Sequence, residues 1–490
     1  MKYVFEYLRR RGIGVAIDED MVFLLTHMYA VSTGEPPMER LFRLKNISGR
    51  GYSSYTRVLS SIATLSKRWG YNIPQAVFMK AKEASNSPLG DFLNRLSEAL
   101  RVGENIDKFL EQEQTSALVG YEATYSRTME ALKLLLGIYI ASMSSAVFVN
   151  VNVIMMAFFM GGSTVIIISF IATIIMLAVL VFIVSRSSPR ERLVHDMHIT
   201  MPEMRRYRLS FVISLMLASI SSSIILLFFR EYSYSLIVFG SILIIPGAIG
   251  RRLEDKVKKI ESIVPAFMRS FGLTFATVRN YAYTIRSMLV TGLGVLTNYL
   301  KRLHARLKNG IDSKIAFLYF IGETGSETVR KSIDIFYDAV ESGGDPVKTG
   351  EKLSITVQKI LNLRKQREQV AGAFQGIMYV MTMLVVALAQ FVAVLVIGLR
   401  DFLESIAGQV AIFEVTPVDP SIVQIMSTIL MFSIAILNGL TLYFARGGFI
   451  GSTWLHAGLL MILAGITMKG ASALSQAIYE LMQVPQITIP

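Results

Sequence analysis

The stretch LLLGIYIASMSSAVFVNVNVIMMAFFM, residues 134–160, contains no Asp, Glu, Lys or Arg. A helix needs about 20 predominantly apolar residues to cross the hydrocarbon core of a bilayer, and this stretch is long enough to do so. Six further apolar runs lie outside it, at 163–184, 209–229, 234–250, 376–399, 421–444 and 448–468. The sequence therefore predicts a polytopic membrane protein with about seven transmembrane helices.

The overall composition supports a membrane protein. Hydrophobic residues make up 52% of the 490 residues, and the mean hydropathy is +0.49, which is too apolar for a typical soluble chain. There are no cysteines, which excludes disulfides, thiolate metal sites and cysteine nucleophiles. The opening MKYVFEYLRRRG is not followed by the apolar run and small-residue cleavage site of a secretory signal, so we expect the N-terminus to stay in the cytoplasm.

The distribution of basic residues predicts which segments face the cytoplasm. With the N-terminus inside, the cytoplasmic segments are 1–133, 185–208, 251–375 and 445–447. All but three of the 49 Lys and Arg residues fall in them, the exceptions being Arg230, Arg400 and Lys469. The net charge of +13 then reflects the positive-inside bias and attraction to anionic lipid headgroups rather than nucleic-acid binding. The same topology places the C-terminal tail outside the cytoplasm.

The run 234–250 is the weakest of the seven, because it is short and contains Pro246. If it re-entered the membrane instead of crossing it, the segment 251–375 would face outward. Arg251 and Arg252 directly follow the run and favour a crossing that ends in the cytoplasm.

The two long basic segments contain the helix-starting and helix-ending residues that are typical of helical bundles. Asp18 precedes an apolar-rich stretch, and Ser87 followed by Pro88 is a typical helix start, since serine caps exposed amides and proline fits the first helical position. Apolar residues recur at helical spacing from Phe92, and Gly103 ends the run. Neither segment alternates apolar and polar residues as a strand does. Both are predicted to be all-α.

The second segment repeats the pattern of the first. Ser332, Phe336, Ala339 and Val340 follow Phe92, Leu96, Ala99 and Leu100 by 240 residues. The turn beginning at Gly103 matches the turn beginning at Gly344 if one residue is inserted between them. From each turn, a charged helix-favouring sequence leads directly into a long apolar run. An internal repeat explains this better than two unrelated bundles with similar caps.

No pattern typical of catalysis or cofactor binding is present. The stretch from Gly344 to Lys352 has the wrong spacing for a phosphate-binding loop. His195 and His198, with Glu191 and Asp196 nearby, suggest solvated loop chemistry more than a metal site. His27, His304 and His456 stand alone in the sequence, and His456 is the one ionisable group within the apolar runs. We therefore predict no catalytic residues, no cofactor and no metal.

Two stretches carry a resemblance to a known family, together with Trp69, Gly70 and Tyr71. They are SPLGDFLNRLSEALRVGENIDKFLEQEQ, from Ser87 to Gln114, and GETGSETVRKSIDIFYDAVESGGDPVKTGEKL, from Gly322 to Leu353. With the order bundle, spans, bundle, spans, the chain resembles the membrane platform proteins of type II secretion and type IV pilus systems. The closest resemblance is to the archaeal branch that serves archaella and pili.

The resemblance implies two cytoplasmic bundles of the type II secretion F kind, at 1–133 and 251–375. A four-span cluster at 134–250, with the basic loop 185–208, and a three-span cluster at 376–468 would follow them, with an extracytoplasmic tail at 469–490. It also implies a non-enzymatic homodimeric platform. Its partners would be a hexameric secretion ATPase, bound from the cytoplasm, and pilin or archaellin subunits.

Basic residues near the membrane end of the second bundle are candidates for docking the ATPase. They are Arg251, Arg252, Arg364, Lys365 and Arg367. Lipid contact and the positive-inside bias explain the same charges equally well.

Other function classes remain open at this point. Seven spans and a repeat are compatible with a transporter or channel, although the near absence of charges in the spans disfavours ion coupling. A signalling or lipid-processing membrane protein would need a cluster of acids, bases or nucleophiles that the sequence does not display. A platform for secretion rather than for a surface filament is not distinguishable from sequence.

Overall fold

A computed structural model describes residues 18–52, 55–160, 163–189, 191–195, 197, 201–229, 231–406 and 420–482. Within these ranges the chain is helical and contains no strand, and its one β-type contact is the isolated bridge between Val194 and Ser326. This confirms the predicted all-α class.

The α-helices of these ranges are, in chain order, α1 (Glu19–Ser32), α2 (Met38–Leu41), α3 (Tyr55–Trp69), α4 (Ile73–Glu83), α5 (Pro88–Val102), α6 (Ile106–Met160), α7 (Ser163–Ser187), α8 (Pro202–Phe229), α9 (Tyr232–Glu261), α10 (Val264–Val278), α11 (Tyr281–Val290), α12 (Thr297–Lys308), α13 (Ser313–Thr324), α14 (Glu327–Glu341), α15 (Pro346–Ile406), α16 (Pro420–Arg446) and α17 (Thr453–Met482).

The helices form two compact units. Unit 1 consists of Met1–Arg127, Glu191–Pro202 and Asp255–Lys365, and unit 2 of Thr128–Arg190, Glu203–Glu254 and Gln366–Pro490. Unit 1 thus gathers nearly all of both segments that the sequence suggests are two cytoplasmic bundles, together with a short piece of the loop between spans. Unit 2 holds most of the apolar runs.

Helix starts in unit 1 follow the predicted cap chemistry. The Asp18 carboxylate accepts a hydrogen bond from the Met21 amide at 2.8 Å, which places α1 where the sequence expects it. The Ser87 hydroxyl accepts from the Gly90 amide at 3.2 Å, and proline follows it at the first position of α5.

The internal repeat is visible in the turns. Gly103 and Gly343 both have left-handed φ angles, +76° and +81°. In each case the amide of the next residue donates a hydrogen bond to a carbonyl in the last turn of the preceding helix, as at many helix C-termini. Glu104 N–H donates to the carbonyl of Ala99 at 3.0 Å, and Gly344 N–H donates to the carbonyl of Ala339 at 2.8 Å. Gly103 therefore corresponds to Gly343, so the inserted residue assumed from sequence is wrong and the offset of 240 continues through the turn.

A second pair of turns has the same offset. Gly70, between α3 and α4, and Gly310, between α12 and α13, have φ of +70° and +76°. Asn72 caps α4 through the Gln75 amide, and Asp312 caps α13 through the Ile315 amide, at 3.0 and 3.2 Å. The helices that follow each turn also start 240 residues apart.

Among the residues that the structure describes, seven helices are long and apolar enough to cross a membrane, as predicted. Their membrane-crossing windows lie within Ile106–Ala157, Thr164–Ser187, Glu203–Phe228, Tyr232–Val278, Pro346–Val392, Ile422–Arg446 and Ile450–Leu474. The weakest predicted span lies in α9, which continues as one helix through Pro246.

Glycines bring α9 and α17 close together in unit 2. A Cβ atom on Gly247 would lie 2.2 Å from the backbone nitrogen of Leu455, and one on Gly240 would lie 2.6 Å from the Gly458 carbonyl oxygen. The contacts run in opposite directions along the two helices, so the pair is antiparallel. Close packing through small residues is the usual way in which membrane helices associate.

Polar side chains in unit 2 bind each other between helices. Asn438 accepts a hydrogen bond from the Tyr139 hydroxyl at 2.7 Å and donates to Thr382 at 2.9 Å. Asn150 donates to Thr173 at 2.9 Å. Interhelical hydrogen bonding therefore satisfies both asparagines within unit 2.

The glycine contact predicts a matched pair of variants. Gly247→Ala places a methyl group against the backbone of Leu455 and should cost about 1–3 kcal/mol through overpacking. Gly137→Ala, in α6, meets nothing within 4 Å and should be neutral or slightly stabilising. Thermal unfolding of both purified variants in the same detergent measures the difference. Equal unfolding midpoints would contradict the close approach of α9 and α17.

Candidate functional site

Helix α14 is charged yet buried. It carries Arg330, Lys331, Asp334 and Asp338, and the side chains of Arg330 and Lys331 are only 4% and 5% exposed. Charged groups removed from water need partners with good geometry, because an unpaired buried charge costs several kcal/mol. The position of α14 in unit 1 is therefore decided by where its partners lie.

Lys331 is held by the start of α1. Its ammonium group lies 3.1 Å from the carboxylate of Glu19 and 2.7 Å from that of Asp20, with the ring of Phe23 beneath it at 4.7 Å. These residues lie about 310 positions before it in the chain. The contact joins the two long basic segments of the sequence.

Arg364, on α15, binds three carboxylates at once. Its guanidinium lies 2.9 Å from Glu19, 3.0 Å from Glu261 and 3.5 Å from Glu191. The carboxylates come from α1, from the end of α9 and from the short segment at 191–195. We call Glu19, Glu191, Glu261, Lys331 and Arg364 the Arg364 cluster.

Glu19 lies at the centre of the Arg364 cluster, between its two cations. Burial alone would raise the pKa of this carboxyl, but the nearby charges of Lys331 and Arg364 outweigh burial and lower the pKa from 4.5 to about 2. Glu19 is therefore ionised at neutral pH, and its charge stabilises the fold.

The opposite end of α14 binds the segment that follows α1. The Asp338 carboxylate lies 3.0 Å from Nε2 of His27 and accepts a hydrogen bond from the backbone amide of Lys45 at 2.9 Å, and Arg40 also binds it. Burial opposes ionisation of Asp338, yet hydrogen bonding and attraction from His27, Lys45 and Arg40 lower its pKa.

Asp334, one turn earlier, accepts from the Ser48 amide at 3.0 Å and pairs with Arg330 at 3.0 Å. For this carboxyl burial prevails, and its pKa is raised. Both ends of α14 are therefore tied to residues 18–52.

Helices α6 and α15, which follow the turns at Gly103 and Gly343, run side by side in unit 1. Ion pairs join α6 to α15 at matching positions: Asp107 to Lys348 at 3.7 Å, Glu111 to Lys352 at 3.6 Å and Glu122 to Lys359 at 2.8 Å. Because residue numbers rise together along both helices, the pair is parallel.

The seam between α6 and α15 also contains a buried polar contact. Gln114 is 1% exposed, and its amide group donates to Thr356 on α15 at 3.0 Å and to Thr26 on α1 at 3.2 Å. Exposed ion pairs contribute little stability each, but opposite charges along facing helices determine their register.

The predicted docking residues have different environments. Arg364 is engaged in its cluster, and Arg367 is 2% exposed and donates to the carbonyl oxygens of Pro189, Phe444 and Ala445 at 2.9, 2.7 and 3.0 Å. Arg251 is 28% exposed and lies 3.8 Å from Glu254. Arg252 and Lys365 are exposed. Two of the five are thus fixed by internal contacts.

The His195 side chain forms internal hydrogen bonds in unit 1. It is buried, with Nε2 3.0 Å from the Ile321 carbonyl oxygen and Nδ1 3.3 Å from the Met197 amide, and burial lowers its pKa. His198 and Asp196, its supposed neighbours in a metal site, lie outside the described residues. Within the described part of the chain, no group of three or more His, Asp or Glu is arranged to hold a metal ion.

Sequence reasoning missed the Arg364 cluster. Arg330, Asp334 and Asp338 recur every four residues, a spacing typical of a solvated helix face with its own ion pairs. Glu19 reads as an ordinary first-turn acid beside a helix dipole. The repeat does not reveal the burial either, because at the positions equivalent to Lys331 and Asp338 helix α5 carries Asp91 and Glu98, and both are exposed.

Comparison with known proteins gives two similar chains. One is Flagella accessory protein J of Methanocaldococcus jannaschii, 26% identical over 382 residues, and the other is Flagella accessory protein J of Methanococcus voltae, 24% identical over 378 residues. Each alignment covers 74% of this chain and 67% of the relative. No family model and no solved structure matches the chain. The predicted resemblance is confirmed: the chain is similar to proteins of that name.

The Arg364 cluster predicts a pH-dependent contribution to stability. Glu19→Gln leaves two buried cations with one carboxylate fewer and should lower the free energy of unfolding by about 3 kcal/mol at pH 7. Because the folded-state pKa of Glu19 is depressed, this contribution is complete above about pH 4.5 and is lost as the pH falls toward about 2. The difference in unfolding free energy between wild type and the Glu19→Gln variant should therefore become smaller as the pH falls from about 4.5 to about 2.

Chemical denaturation in detergent at several pH values measures the difference in unfolding free energy between wild type and the Glu19→Gln variant. Glu122→Gln, which alters a pair with Lys359 whose side chains are 44% and 42% exposed, is the control and should cost no more than about 1 kcal/mol. If the Glu19→Gln variant has the same unfolding free energy as this control, the Arg364 cluster does not stabilise unit 1.

Proposed function

We propose that this chain, a multi-pass membrane protein similar to Flagella accessory protein J, is the non-enzymatic platform of an archaellum or type IV pilus. A hexameric ATPase binds unit 1 from the cytoplasm, and the platform, acting as a homodimer, couples its motion to the movement of pilin or archaellin subunits. The observation that carries this proposal is the pair of long helices α6 and α15.

Helices α6 and α15 have 55 and 61 residues. Each begins directly after a glycine turn in unit 1 and contains a stretch apolar enough to cross a membrane. A continuous helix transmits displacement and rotation along its axis, whereas a flexible connection dissipates them. The ion pairs between α6 and α15 favour joint movement.

The ionic groups of unit 1 support a mechanical role rather than catalysis. The carboxylates of the Arg364 cluster neutralise cations on α14 and α15, so they hold helices in place instead of presenting an acid or base to a substrate. Motion imposed on unit 1 by a partner then reaches α15 through Arg364. Energy for the movement comes from the partner's nucleotide hydrolysis.

One of the five docking candidates suits an interface on unit 1. Lys365, the last residue of that unit, is exposed, and we assign it a contact with an acidic surface of the ATPase, whereas the exposed Arg252 belongs to unit 2. Arg364 and Arg367 instead stabilise the platform itself.

Two full-length variants separate docking from transmission. Charge reversal at Lys365 should weaken binding of the ATPase about tenfold and reduce filament assembly. A four-residue Gly-Ser insertion after Arg127, inside α6, should leave ATPase binding intact but abolish assembly, because the helix no longer transmits motion. Normal filaments from the insertion variant would rule out transmission through α6.

The controls use the chain's own features. The same insertion after Asn86, in the exposed connection between α4 and α5, should leave assembly unchanged. Because the chain lacks cysteine, an Ala477→Cys background provides a single label site at an exposed position beyond the apolar stretch that ends at Leu474. Labelling by a membrane-impermeant maleimide from outside the cell verifies that each variant is inserted with its C-terminal end outside. Absence of labelling in the wild-type background would contradict the proposed sidedness.

A further inference from the structure

The turn between α3 and α4 exposes two aromatic side chains. Trp69 is 71% exposed and Tyr71 is 38% exposed, and the basic residues Lys67 and Arg68 beside them are exposed as well. We call these four residues the turn surface. Large aromatic side chains at such exposure leave apolar area in contact with water and frequently mark a binding site.

The fold does not require these aromatics. The equivalent turn between α12 and α13 has the same left-handed glycine and the same type of cap, 240 residues later, and carries Asn309 and Ile311 where the first turn carries Trp69 and Tyr71. One backbone geometry is thus formed with either pair of side chains. Ile311 is itself 41% exposed, so the feature that the second turn lacks is the exposed indole of Trp69, which needs an explanation outside the fold.

The apolar exposure continues on α4. Phe78 and Met79, on the outer face of that helix, are 45% and 44% exposed, and Lys82 lies 4.8 Å over the ring of Phe78. This face combines apolar area with positive charge, as the turn surface does.

The charge on the turn surface identifies the chemistry of its partner. Within the part of the chain that the structure describes, Lys67 and Arg68 form no ion pair, so both cations face solvent beside an exposed indole. Tryptophan, tyrosine and arginine are the residues that most often dominate binding energy at protein interfaces, and uncompensated cations favour an acidic surface.

We propose that the turn surface is a docking site for an acidic protein face that encloses Trp69 in an apolar pocket. The inference rests on the proposed function, because the partner we assign to it is the ATPase that unit 1 binds. It adds a second point of contact on unit 1 to the one assigned to Lys365.

The test grafts the second turn onto the first. Full-length protein in neutral phosphatidylcholine nanodiscs is immobilised, and the secretion ATPase of the same cell is titrated over it by biolayer interferometry. The double variant Trp69→Asn, Tyr71→Ile keeps a turn that this chain already forms, so it should fold normally while its dissociation constant rises at least tenfold. Reversing Lys67 and Arg68 should slow association and reduce its salt dependence.

A matched control changes the other turn. Asn309→Ala with Ile311→Ala should bind the ATPase like wild type. If wild type binds and the grafted variant binds equally well, the docking site is wrong while the proposed function stands. Equal losses from the grafted and control variants would also overturn it. If wild type itself does not bind the ATPase, the proposed function fails and this inference fails with it.

A lipid surface is the other class of partner that basic and aromatic residues suit. The chain has two tryptophans, so Trp454→Phe leaves Trp69 as the single indole fluorophore. In nanodiscs with brominated acyl chains and phosphatidylglycerol, the Trp69 emission should remain unquenched. Quenching by those lipids would show that the turn surface binds the membrane and would overturn the protein docking site.

Discussion

The burial of charge on α14 is the constraint on which unit 1 depends. A helix with Arg330, Lys331, Asp334 and Asp338 leaves water only if each charge finds its partner at the same time. Those partners come from the start of α1, from the segment at 40–48 and from within α14 itself. Unit 1 therefore folds as one body, even though the sequence places its two main segments on either side of four apolar runs.

The same constraint explains which features are readable from sequence. Local features are predictable because they depend on residues close together in the chain. Apolar length is sufficient to predict the spans, and cap chemistry is sufficient to predict the helix starts at Asp18 and Ser87 and the glycine turns. The pairing of Lys331 with Glu19 and of Arg364 with Glu19 joins residues more than 300 positions apart. A single sequence does not record such pairs, so α14 reads as a solvated helix and Arg364 as a surface cation. The offset of 240 residues is readable from sequence, but the paired glycines at Gly343 and Gly344 leave it open which of them corresponds to Gly103, and only the left-handed φ of Gly343 decides.

The Arg364 cluster relates the fold to the proposed function. Arg364 belongs to α15, one of the two helices that begin in unit 1 and continue into apolar stretches, and its carboxylate partners belong to three other segments. Under the proposed function, force applied to unit 1 by the partner would act on α15 through charge-assisted contacts rather than through loops. The parallel α6 would move with α15, because Lys–carboxylate pairs and Gln114 join the two helices. A platform driven by a partner would need such a rigid connection.

Hydrogen–deuterium exchange of the full-length protein in nanodiscs tests most directly whether unit 1 is one body. Residues that open together exchange together, at a rate determined by the free energy of that opening. We predict that peptides from α1 and from α14 exchange at the same slow rate, because neither helix can separate without exposing the charges of the other. If α1 exchanges as fast as the exposed turn at residues 70–72 while α14 remains protected, the two segments are separate bundles and the account is wrong.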